Sequence, residues 1–204
     1  VPLSNAYHSV PIHSDHRPFL RFHALGKVFE YNTLCFGLSS APYTFTRVMK
    51  PVILTLRKLG IRCLIYLDYI FIVASNKVQL TQHIQFTCSL IEKLGLNINY
   101  EKSELVPSQR IEYLGIGIDT ESMKFFTPQA KLLTIVTEAK RISFQEKVSA
   151  RTLASFSGRA NSIRLASPVS PLYLRHIQRL IFPHVRTGFY EATVVIDDSA
   201  RSEL

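Results

Sequence analysis

The chain has 204 residues, of which 47% are apolar and 19% charged, a globular composition that excludes a disordered or fibrous polymer. That length allows one substantial core with a smaller second unit. The formal charge of +9 favours polyanionic partners, nucleic acid first and acidic membrane second, while no apolar run approaches the ~18 residues of a bilayer span, so no membrane insertion is expected.

No signal peptide is visible, and the first residue is Val1 rather than Met. This reads as a fragment, a processed product or an incomplete gene model. Cys35, Cys63 and Cys88 lie far apart, with no CxxC or zinc spacing. Buried free thiols in a reducing, intracellular compartment (cytoplasm or nucleus) are therefore expected. His8, His13, His16 and His23 lack a carboxylate or thiol at ligand spacing, which argues against a metal there.

Val1-Pro2-Leu3-Ser4-Asn5-Ala6-Tyr7 opens the chain, followed by a His- and Pro-marked loop. Phe19-Leu20-Arg21-Phe22 and Val28-Phe29-Glu30-Tyr31 are predicted strands joined around Gly26-Lys27. Leu34 to Pro42 is a loop entering a helix, with Ser39 or Ser40 as cap and Pro42 in the first turn. Phe45, Val48, Met49, Val52, Leu56 and Leu59 recur at helical spacing, with Pro51 expected to kink or restart the helix and Gly60 to stop it. That stripe reads as core packing.

Arg62 to Ala74 reads as a β-hairpin whose tip is Asp68-Tyr69. Asp68 is the only acid between Glu30 and Glu92, and a carboxylate in so apolar a run is costly unless solvated, paired or metal-bound. A turn-forming Asp and a functional Asp both fit. Leu80, Ile84, Cys88, Ile91 and Leu94 line a second helix closed by Gly95. Asn97 to Lys102 follows, then a strand-like run from Ile111 to Ile118, and Lys124-Phe125-Phe126. The order predicts an α+β fold with a mainly antiparallel sheet.

From Pro128 the pattern is helical: Lys131 to Arg141, Ser149 to Leu165, and Leu172 to Ile181 after the Ser167-Pro168 and Ser170-Pro171 breaks. Lys140, Arg141, Lys147, Arg151, Arg159, Arg164, Arg175 and Arg179 make this third basic, as a solvated face or a backbone-tracking nucleic-acid surface. Ala192 to Asp198 reads as one strand followed by a polar stub.

In order, these motifs resemble the palm of a retroelement reverse transcriptase. Leu3 to Tyr7, with Val10-Pro11-Ile12 and Phe19 to Phe22, is similar to the segment carrying the first catalytic Asp. Phe36-Gly37-Leu38-Ser39-Ser40-Ala41-Pro42 with Phe45 resembles the template- and nucleotide-contacting loop, and Tyr66-Leu67-Asp68-Tyr69 the Tyr-x-Asp-Asp hairpin. Leu94-Gly95-Leu96-Asn97 with Lys102, then Tyr113-Leu114-Gly115, resemble the next palm motifs, the last of which grips the primer. The wording is nearest to DIRS-like retrotransposons, with gypsy-like elements second. The resemblance covers roughly residues 1–182.

The resemblance implies a polymerase palm with packed helices over 1–126 (fingers missing), a helical thumb- or connection-like region over 127–183, and an extended tail over 184–204 approaching an absent RNase H-like domain. It implies RNA-directed DNA polymerase activity, a nucleotidyl transfer that uses Mg²⁺. The partners implied are an RNA template, an RNA–DNA or DNA duplex, and deoxynucleotide triphosphates. Two-metal polymerisation needs carboxylates converging on ions roughly 3.5–4 Å apart. Here Pro2 occupies the first Asp position and Tyr69 the second Asp of the hairpin; Asn5 and Cys35 are further departures. Asp68 is then the surviving metal ligand, and this copy is expected to be inactive. By position, Tyr7 would gate the nucleotide sugar, Tyr66 would neighbour Asp68, and Phe36 would line the nucleotide-contacting loop. Gly37 would admit close backbone approach, and Lys102 would act as general acid near the triphosphate. Tyr7 and Tyr66 fit equally as core aromatics, Gly37 as a turn residue and Lys102 as a surface cation. A non-catalytic nucleic-acid- or protein-binding module derived from a mobile element is the alternative.

Overall fold

Every strand ladder is antiparallel, and several are hairpins, as short β-branched and aromatic runs separated by tight turns dictate. The computed structural model describes residues 1–204, which divide into two compact units, 1–107 and 108–204. The α+β class and antiparallel pairing agree with the sequence, although the ladders form small sheets instead of one broad one. No helix is long and apolar enough to cross a membrane.

In the first unit, β1 (Leu3–Ser4), β2 (Arg21–Ala24) and β3 (Lys27–Glu30) precede α1 (Ala41–Lys58). Then come β4 (Arg62–Tyr66), β5 (Tyr69–Val73), α2 (Lys77–Lys93) and β6 (Asn97–Ile98). β1 is held on both sides. Leu3 faces Ile98 and Ser4 faces Asn97 on one flank, while Pro2 bridges Tyr69 on the other. Leu3, Leu34, Phe45, Met49, Leu56, Ile70, Ile91 and Ile98 form its core.

The β2–β3 turn is Leu25-Gly26, not Gly26-Lys27, and Ser14–Leu20 is a 3-10 helix that takes Phe19 and Leu20 out of the strand. α1 runs unbroken through Pro51, burying Ala41, Phe45, Met49, Ile53 and Leu56, while Val48 and Leu59 are exposed. Burying a large apolar side chain contributes about 1.5–3 kcal/mol. Several of these together outweigh the roughly 3 kcal/mol that an interior proline costs. Ser40 occupies the cap position without a side-chain cap bond, whereas the Asn76 side chain caps α2 by accepting from the Gln79 amide at 2.9 Å. The cysteines are free and buried, as expected.

The second unit begins with β7 (Arg110–Tyr113), β8 (Ile116–Asp119) and β9 (Lys124–Phe126). The run 111–118, predicted as one strand, is thus a hairpin turning at Leu114-Gly115. α3 (Gln129–Ser143), β10 (Lys147–Ser149), α4 (Ala150–Asn161), α5 (Arg175–Thr187), β11 (Thr193–Val195) and α6 (Asp198–Glu203) complete the chain. Ile142, Leu153, Phe156, Leu174 and Ile177 anchor this core. The expected polar stub is α6. Asp197 caps it at the Ala200 amide (2.8 Å), and the Glu203 carboxylate accepts from the His176 and Ile177 amides at 2.8 and 3.0 Å.

Candidate functional site

Asp68 is the second residue of a two-residue turn, because Tyr66 pairs with Tyr69. The hairpin tip is therefore Leu67-Asp68, one residue earlier than predicted. The tip is possible because Leu67 takes a left-handed backbone conformation (φ 53). Asp68 is half-buried, and its carbonyl accepts from the Leu3 amide at 2.9 Å. The Val1 amine and the Ile70 amide complete the pairing, donating to the Ile70 and Val1 carbonyls at 2.8 and 3.0 Å. Pro2, between them, is buried opposite Tyr69, which is partly exposed.

Tyr7 sits against this tip. Burial holds its phenol above the usual tyrosine range, and the negative charges of Asp68 and then Tyr66 push it further the same way. Its ring lies 5.1 Å from Phe36 and 5.6 Å from Phe45, and Phe45 is fully buried in the core. The structure thus brings together Tyr7, Phe36, Tyr66 and Asp68. His8, read from sequence only as part of a histidine cluster, packs edge-on to Phe36 at 5.5 Å and parallel to Tyr31 at 6.3 Å. Residue spacing carries no signal for those contacts.

Gly37 has φ 88, and a Cβ there would meet nothing within 4 Å. Its backbone conformation alone requires glycine. Lys102 is exposed on a turn whose backbone is pinned by the Asn99 side chain, which accepts from the Lys102 amide at 3.1 Å. Tyr113, Leu114 and Gly115 belong to the second unit. Leu114 and Gly115 (φ 51 and 73) form the β7–β8 turn, and the Lys131 ammonium donates to the Gly115 carbonyl at 3.0 Å. Burial raises the Tyr113 phenol.

The other acids near the start of the chain are engaged elsewhere. Glu30 pairs with Arg21 at 2.9 Å, and Asp15 accepts from Ser14 at 3.1 Å. Nowhere do three or more His, Cys, Asp or Glu side chains converge as a metal-binding group.

The chain is similar to the Enzymatic polyprotein of Soybean chlorotic mottle virus, 29% identical over 182 residues, which are 87% of this chain and 25% of that protein. It is similar also to the Transposon Tf2-3 polyprotein of Schizosaccharomyces pombe, 24% identical over 91% of this chain and 13% of that protein. It therefore spans a quarter or less of the length of these relatives. A foamy viral protease-reverse transcriptase solved with double-stranded DNA has the same fold, with a TM-score of 0.79 at 17% identity over 99% of this chain and 32% of that one. The same viral protein solved with an RNA/DNA hybrid gives 0.72 at 18% identity, over 95% and 24%. The profile described as Reverse transcriptase (RNA-dependent DNA polymerase) matches residues 2–118, more than half of the chain, and the chain belongs to that family.

Proposed function

We propose that this is the reverse transcriptase domain of a retrotransposon, DIRS-like in the first instance and gypsy-like in the second, whose nucleotidyl-transfer centre is inactive in this copy. The observation that carries the inactivity is the pair Pro2 and Tyr69. They face each other beside Asp68, at the positions where the family motifs place carboxylates. The family implies Mg²⁺, and the donor set here does not fit a Mg²⁺ pair. A proline ring offers no donor, a tyrosine is not the carboxylate ligand that Mg²⁺ favours, and one carboxylate is too few.

In this reading 1–126 is palm, 127–183 a thumb- or connection-like region, and 184–204 the approach to an RNase H-like domain. Tyr7 and Phe36 border the nucleotide position, with Gly37 shaping the loop between strand and helix. Lys102 serves the triphosphate, and Tyr113, Leu114 and Gly115 the primer. Primer extension on an RNA template with Mg²⁺ or Mn²⁺ tests it. No product above background is expected, and robust templated synthesis would overturn the inactivity.

A second reading keeps the nucleic acid and drops the chemistry. Arg175, Arg179 and Arg186 recur on one exposed face of α5, and none has a carboxylate partner. Such a row suits a phosphate backbone, and the similar viral protein is seen with duplex DNA and with an RNA/DNA hybrid. Affinity for an RNA–DNA duplex is then expected to fall steeply between about 50 and about 200 mM salt. A flat salt response counts against this role.

A further inference from the structure

The segment 1–4 is flanked on both sides, and Pro2 stands in its middle. Central strands exclude proline because it lacks the N–H that the ladder uses. The register identifies the missing bond. Leu3 faces Ile98 and Ser4 faces Asn97, so residue 2 faces Asn99. The Asn99 amide donates to the Pro2 carbonyl at 3.0 Å, which is one half of the reciprocal exchange made at such a position. The other half would run from the N–H of residue 2 to the Asn99 carbonyl. Proline cannot supply it.

That carbonyl is not left bare. The Ser103 hydroxyl donates to it at 2.6 Å, and both residues are half-buried. The same turn is closed by the Lys102 amide on Asn99 Oδ1 at 3.1 Å and the Ser103 amide on the Tyr100 carbonyl at 3.2 Å. The opposite flank is untouched, since it uses the Leu3 and Ile70 amides and asks nothing of residue 2.

We infer that Ser103 is the residue that makes a proline tolerable at position 2, by filling the acceptor that the sheet would otherwise orphan. Through Asn99 it also ties residue 2 to the turn that carries Lys102. The inference rests on register and hydrogen bonding, so it stands apart from whether the chain polymerises. A half-buried carbonyl without a donor is destabilising, whereas an N–H at residue 2 would satisfy it and make the hydroxyl dispensable.

A double-mutant cycle on the 204-residue chain, followed by urea unfolding, tests this. Ser103→Ala is expected to multiply the unfolding constant roughly 5- to 10-fold when residue 2 is proline, and less than about 2-fold in a Pro2→Ala background. The added unfolded-state freedom that Pro2→Ala brings cancels within the cycle. Equal effects in both backgrounds overturn the inference. Should Ser103→Ala alone fail to fold, folding of the double variant supports the inference, and failure of both overturns it. Amide exchange at Asn99 gives a second readout: protection lost in Ser103→Ala returns in the double variant, and persistent loss contradicts the coupling.

Discussion

Pro2 and Tyr69 face each other in a non-hydrogen-bonded antiparallel pair, the closer of the two pair types, with Cα atoms about 4.5 Å apart in such pairs. Their side chains share one face of the sheet, next to the turn that carries Asp68. The two positions on which the proposed inactivity rests, far apart in sequence, therefore lie at a single spot.

Because the positions are opposed, the double variant Pro2→Asp, Tyr69→Asp should gather carboxylates beside Asp68 without any change of backbone. Mn²⁺ binding read by electron paramagnetic resonance is expected to tighten at least about tenfold over the parent, the size of effect that an added ligand set brings. Unchanged binding in a folded double variant would mean that the tip is not where the family motifs put it.

Gly117 faces Phe126 across the β8–β9 pair, and a Cβ on Gly117 would lie 2.3 Å from the ring. The same ring carries the Arg110 guanidinium 4.2 Å from its centre. Gly117→Ala must push the ring aside and break that stack, at a cost of about 1–3 kcal/mol. Thermal unfolding checks it, and Phe126→Leu in the same background should recover part of the loss.

Tyr100 donates its hydroxyl to the Glu92 carboxylate at 2.5 Å, and this bond pushes the phenol up to about 12. Its folded value lies above the ordinary 10, so the stabilisation is whole below pH 10 and fades as pH rises through about 12. In an ultraviolet titration Tyr100 should ionise late, as Tyr7 and Tyr113 also should, and Glu92→Gln should return one of these late tyrosines towards the ordinary range. A titration unchanged by Glu92→Gln removes the assignment.

Leu25 opens the β2–β3 turn at φ 51 while 96% exposed, so it holds a left-handed conformation with no burial in return. Leu25→Asn, a residue that tolerates this region, is expected to stabilise by roughly 1 kcal/mol. Urea unfolding decides it, and a loss of stability would show that the leucine makes a contact of value.

That last residue shows why the hairpin turns are only partly legible in the sequence. Leu25, Leu67 and Leu114 all occupy the first turn position with positive φ, where propensity favours Asn, Asp or Gly. A leucine at that position looks like strand, so two predicted tips lie one residue late and the β7–β8 turn is hidden in what looks like one strand. The helices were legible because a buried face recurs every three or four residues, and Pro51 misled because packing along α1 outweighs one lost hydrogen bond. Of the site, the motif order brought Tyr7, Phe36 and Asp68 into one frame. The opposition of Pro2 to Tyr69, and the part played by Ser103, depend on register between segments up to about a hundred residues apart, which no local pattern encodes.

Segment 1–4 finds its partners only at residues 68–70 and 97–99. During synthesis the hairpin β4–β5 is complete well before β6 emerges, so its flank waits open beside a tethered strand that nothing yet clamps from the far side. Closing so long a loop adds little to the equilibrium penalty, since each doubling of length costs only about 0.6 kcal/mol, but it delays the event. The earliest of these strands to leave the ribosome is among the last to be secured, and the interval is when a chaperone or a wrong strand has access.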